Sequence, residues 1–123
     1  MKEYLYVFLG GGLGSVLRFI INRYINPLFI LPWGTFICNS SASILVGIFT
    51  VILARKLQWS DDLLYIVVIG FCGGLSTFST FSNETVRLFE LEMPVMGILN
   101  ICLNVFLCLI CVWIGQKLAM YYL

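Results

Sequence analysis

Apolar residues fall into four long runs separated by short polar breaks, at about residues 4–25, 33–54, 63–89 and 95–119. A hydrocarbon layer about 30 Å thick takes roughly 20 apolar residues in a helix, so each run is long enough to cross a bilayer once. The pattern predicts an all-α, polytopic membrane protein with four transmembrane helices in a single domain, residues 1–123. Asn26-Pro27, Leu31-Pro32 and Met93-Pro94 mark turns, because proline removes a helical donor and restricts the residue before it. Arg55 to Asp62 makes the remaining connection, with Ser60 or Asp61 placed to cap the third helix. Trp33, Trp59, Trp113, Lys117, Tyr121 and Tyr122 stand at run ends, where amphipathic side chains anchor a span at the membrane surface.

The third run departs from the others. Its first half is uniformly apolar, but residues 70–84 read GFCGGLSTFSTFSNE, with glycines at 70, 73 and 74 and hydroxyls at 76, 77, 79, 80 and 82. In hydrocarbon, irregular backbone survives only where protein buries it or where it lines a polar cavity. The stretch therefore predicts a third helix broken near Gly73, whose freed carbonyls make a cation site. On a helix, Thr77, Thr80 and Glu84 fall within about 60° of one another, with Phe81 on the border of that stripe and Phe78 one step round. The edge of a phenyl ring is positive and presents C–H groups to an anion, although such rings more often fill a core. Ser79 and Asn83 fall on another side. Glu84, Arg87, Glu90 and Glu92 mark the exit to water, and Glu84 and Arg87 are spaced to pair.

The first run contains GGGLGSVLRF, residues 10–19, in which Gly10 and Gly14, and Gly11 and Ser15, stack small residues on one face and predict close helix packing. Arg18 lies near the end of that run. It either snorkels to the surface or stands in a vestibule where its charge attracts anions. The second run reads WGTFICNSSASILVG, and Ser40 and Ser41 are explained by bonds to their own backbone or by packing. Asn39 is harder to place in hydrocarbon, since its two amide donors need acceptors, and a passing anion is one. Ser43 and Gly47 repeat the four-residue spacing. Asn100 and Asn104, on one face of the fourth run, either bond to a neighbouring helix or face the hydroxyl track.

Composition narrows the function. With 61% apolar and 11% charged residues, the short connections leave no room for a soluble catalytic domain or a nucleic-acid surface. The first run is read as a retained span, since Met1-Lys2-Glu3 is a weak positive region and no cleavage site follows. Lys2, Arg55, Lys56 and Lys117 fall on one side of the membrane and Arg18, Arg23 and Arg87 on the other, a nearly even split. Such a chain either inserts both ways, supplying an antiparallel dimer, or prefers one orientation by a margin this count does not resolve. The cysteines at 38, 72, 102, 108 and 111 all lie in spans and are read as small buried side chains, the Cys108-Cys111 pair included. With no histidine, no paired buried carboxylates and no base beside a serine, an enzyme is the reading the sequence favours least.

GGGLGSVLRF, WGTFICN and GFCGGLSTFSTFSNE, at these spacings in a four-span chain, resemble the CrcB/Fluc family of fluoride channels. The resemblance implies a dual-topology antiparallel dimer in a bacterial plasma membrane, with two pores that pass fluoride passively out of the cytoplasm. It also implies a structural, untransported Na+ at the dimer centre, coordinated by the backbone carbonyls of Gly73 and Ser76. Asn39 would stand on the fluoride path, Phe78 and Phe81 would be the paired pore rings, and Thr77, Ser79 and Thr80 would supply the hydroxyls. Arg18 matches the family's first-span arginine and Glu84 its third-span glutamate. Ser76 stands where the family usually has threonine, which a main-chain ligand tolerates, and the serines after Asn39 replace a usual glycine. The partner is a second copy or a paralogous sister subunit. Two other readings fit a four-span chain. One is a small proton-coupled multidrug exporter, which needs a carboxylate deep in the first span, where Glu3 lies too near the end. The other is a non-conducting assembly subunit, which leaves the hydroxyl and phenylalanine pattern unexplained.

Overall fold

The computed structural model describes residues 1–55 and 61–122. Lys56, Trp59 and Ser60, to which the sequence assigns a charge, an anchor and a cap, lie outside the described residues. The first helix, Lys2–Ile25, ends in a 3-10 turn at Asn26–Leu28, where Pro27 stops it. The second is Trp33–Ala54. The third span, Asp61–Glu90, is two helices, residues 61–75 and Phe78–Glu90, and the fourth is Pro94–Tyr122. All four are long and apolar enough to cross a membrane, and no strand occurs among the described residues.

The third helix breaks at Ser76 and Thr77, both extended, and not at the glycines. Gly73 is helical, with φ −64° and ψ −36°. Gly70 and Gly74 serve packing against the first helix, while Gly73 has open space where a Cβ would stand. A Cβ on Gly10 would run into the Ile66 carbonyl and one on Gly14 into the Phe71 carbonyl, while one on Gly74 would meet the Gly11 carbonyl. The small-residue face of the first helix thus lies directly on the backbone of the first half of the third span. Gly47 and Gly115 do the same for the second and fourth helices, each against the other's backbone. The second half of the third span packs on the start of the fourth.

Wide turns of the i→i+5 type run through Leu64–Cys72 and Leu103–Leu107. Cys38, Ala42, Cys72 and Leu75 form a small buried cluster where the first three spans meet, and all five cysteines are free thiols. Most large apolar side chains point outward, as expected where lipid or a further subunit replaces water.

Candidate functional site

Two residues of extended chain interrupt the helical hydrogen bonding, and side chains of the neighbouring spans supply replacements. Asn39, from the second helix, accepts the Thr77 N–H on Oδ1 at 2.8 Å and donates to the Thr77 carbonyl at 3.5 Å. Thr77 then caps the second half-helix: its hydroxyl accepts the Thr80 N–H at 3.2 Å and donates to the Thr80 hydroxyl at 3.0 Å. On the other side of the break, Arg18 donates through Nε to the Gly74 carbonyl at 3.0 Å and through Nη1 to the Thr80 hydroxyl at 3.4 Å. A cation there complements the negative end of the first half-helix. Arg18 therefore turns inward to the carbonyl that the break exposes rather than snorkelling to the surface.

A cavity of about 230 Å³ opens beside the break, lined by Asn39, Ser43, Ser76, Thr77, Phe78, Phe81, Asn104, Val105 and Cys108. It adjoins the positive N-terminal end of the second half-helix. The Phe78 and Phe81 rings sit with centroids 5.5 Å apart, tilted 59° to each other. Phe81 is buried, while Phe78 projects outward, 78% exposed.

From the cavity wall inward runs a ladder of amides, Asn39 half-buried and Asn104 and Asn100 buried. Asn39 Nδ2 donates to Asn104 Oδ1 at 2.8 Å; Asn104 Nδ2 donates to Asn100 Oδ1 at 3.0 Å and to the Asn100 carbonyl at 3.1 Å. Asn100 Nδ2 donates to the Thr85 hydroxyl at 2.9 Å, and that hydroxyl donates to the Phe81 carbonyl at 2.8 Å.

Glu84 overturns the expected exit to water and the expected pairing with Arg87. Its Oε1 accepts from the Thr35 hydroxyl at 2.8 Å and from Asn26 Nδ2 at 3.0 Å, and Oε2 is enclosed without a hydrogen-bond partner. The carboxylate turns inward because the first and second helices present donors there: Asn22 bonds Thr35, and Asn26 Oδ1 holds the Gly34 N–H. Arg87 is exposed and shares with Glu84 and Asn26 the wall of a second cavity of about 390 Å³.

The structure thus gathers Asn39, Ser76, Thr77, Phe78 and Phe81 on one cavity and separates the rest. Thr80 joins Arg18, and Glu84 belongs to the second cavity. Gly73 and Ser79 face outward, with the Ser79 hydroxyl 3.4 Å from that of Thr77. Sequence reasoning did not assign Ser43, Cys108, Asn22 or Thr35. The four-residue spacing of Asn22 and Asn26 at the end of an apolar helix was the available signal for the Glu84 cluster.

The model of the family described as CrcB-like protein, camphor resistance (CrcB), matches residues 5–116. The chain belongs to the CrcB-like family. It is 40% identical over 123 residues to a protein of Flavobacterium psychrophilum, covering 97% of this chain and 98% of that one. A protein of Methanococcus aeolicus is 38% identical over 120 residues, with 98% and 97% covered, and one of Shewanella woodyi 38% identical over 121, with 97% of each covered. All three relatives bear the name fluoride-specific ion channel FluC. The CrcB-like match spans all four helices, the break included.

Proposed function

We propose that this protein is a fluoride-specific channel that lets fluoride leave the cytoplasm passively, in the plasma membrane of a bacterium. One observation carries the reading: the broken third span opens on a cavity whose wall mixes hydrogen-bonding groups (Asn39, Ser43, Ser76, Thr77, Asn104) with the two rings Phe78 and Phe81. Fluoride is small and tightly hydrated, so a pore has to replace its water with donors while holding it loosely enough to release. Hydroxyls and amides supply the donors, and ring edges supply weak positive contacts.

In this reading the working unit is two inverted copies, which the near-even split of Lys and Arg allows. Gly73 and Phe78, both exposed at the break, give the surface toward the second copy. The carbonyls of Gly73 and Ser76 would hold a structural sodium ion. The donor set fits: the Thr77 N–H that an unbroken helix would return to Gly73 goes to Asn39, and the Thr80 N–H due to Ser76 goes to Thr77. Two main-chain oxygens are thereby left to a hard cation. Bound there, sodium would offset the repulsion between carbonyls of the two copies.

The test is ion efflux from liposomes holding only this purified polypeptide, followed with fluoride- and chloride-selective electrodes. Rapid fluoride efflux with chloride at background is expected. No efflux, or chloride passing as readily, overturns the reading, and fluoride efflux from the single polypeptide removes the need for a sister subunit.

A further inference from the structure

We infer that Asn100, which is 2% exposed and does not line the cavity, is a positioning residue for the break, acting through Asn104 and Asn39 on the Thr77 amide. The Thr85 hydroxyl gives its proton to the Phe81 carbonyl and so has only lone pairs left for Asn100, which must turn its nitrogen to Thr85 and its oxygen to Asn104. Asn104 answers with its nitrogen, held by both Asn100 oxygens, and its own oxygen is left facing Asn39. Asn39 must then present nitrogen to Asn104 and oxygen to Thr77, whose N–H can only donate.

Turning any one amide over sets donor against donor. The ladder leaves the second half-helix at Phe81 and Thr85 and returns to it at Thr77, so it braces the turn that carries both Phe78 and Phe81. It crosses to the fourth span where the wide turn at Leu103–Leu107 begins, and there the Asn104 side chain joins the Leu103 N–H in bonding the Asn100 carbonyl. Asn100 has no contact with the cavity, so its influence runs through this ladder.

Only the flux arm of the test rests on the channel reading. The primary measurement is hydrogen exchange of the Thr77 amide in the purified, detergent-solubilised protein. Asn100→Leu keeps the volume and removes both polar groups; about tenfold faster exchange at Thr77 is expected, the response to one unsatisfied buried partner passed along the ladder. In an Asn39→Ala background the same change is expected to add less than about twofold, because the link it acts through is already gone. Unchanged exchange in the first comparison, or the full effect persisting in the second, overturns the inference.

Thr85→Val serves where the leucine variant does not assemble. It removes the acceptor that orients Asn100, and exchange at Thr77 rising less than about threefold counts as refutation. Asn100→Ser, which keeps one donor and one acceptor, is expected to fall between wild type and leucine; exchange as fast as in leucine overturns the inference. Fluoride efflux should slow as exchange at Thr77 quickens. A wild-type protein that passes no fluoride defeats the channel reading and leaves the exchange results to judge the ladder.

Discussion

Arg18 Nε donates to the carbonyl of Gly74 at 3.0 Å, across a separation of 56 residues. The bond places a guanidinium on the C-terminal end of a half-helix inside the membrane, one residue past the carbonyl of Gly73. Charge and shape are both used there, because the fork reaches a carbonyl and the Thr80 hydroxyl together.

Arg18→Lys is therefore expected to behave as a damaging change. A lysine keeps the charge and loses the fork, so fluoride efflux should fall about tenfold or more, as loss of a hydrogen bond to a charged group, about 1.5–3 kcal/mol, implies. Efflux assays on Arg18→Lys and Arg18→Gln check this. If lysine restored what glutamine removes, charge alone would be the requirement.

The two rings are expected to separate stability from conduction. Phe81 is 7% exposed and Phe78 is 78% exposed. Isoleucine at either position should stop fluoride efflux while leaving the elution volume on size exclusion unchanged. Phe81→Ala should also destabilise the fold by about 3–5 kcal/mol, while Phe78→Ala should have a much smaller effect on thermal unfolding of the chain.

Glycines of the first helix should divide by what lies opposite them. Gly10→Ala and Gly14→Ala drive a methyl into main-chain carbonyls that have no room to retreat, and a loss of about 1–3 kcal/mol or more is expected. Gly12 faces nothing within 4 Å, and Gly12→Ala should leave thermal stability in detergent within about 0.5 kcal/mol of wild type or raise it. Equal losses at Gly10 and Gly12 would contradict the packing described.

Replacing sodium by a large organic cation should weaken both assembly and flux if the Gly73 and Ser76 carbonyls hold the ion. Size exclusion and fluoride efflux after exhaustive sodium exchange measure the two effects. Full retention of both would remove the sodium from the account.

Much of this fold was open to sequence reasoning because it is local. Runs of apolar side chains and proline place the second span to the residue and the other three to within about three residues at each end. The four-residue spacing of Gly10 and Gly14 showed a packing face, and the structure named its partner as the third span of the same chain. The break was legible as a break but was displaced to Ser76 and Thr77, because glycine permits a bend without requiring one. What fixes the break is a Thr77 hydroxyl able to cap the next helix and an Asn39 amide able to take its N–H.

The sequence by itself determined the number of spans, their lengths and the cluster of glycine, hydroxyl and phenyl groups in the third, since each follows from neighbours a few positions apart. Only the tertiary structure decided that Arg18 reaches Gly74, that Glu84 turns to Asn26 and Thr35, and that Asn39 meets Asn104 across 65 residues. In hydrocarbon each of these polar groups must find a partner, but which partner depends on the crossing of helices distant in the chain, and no local pattern carries that information.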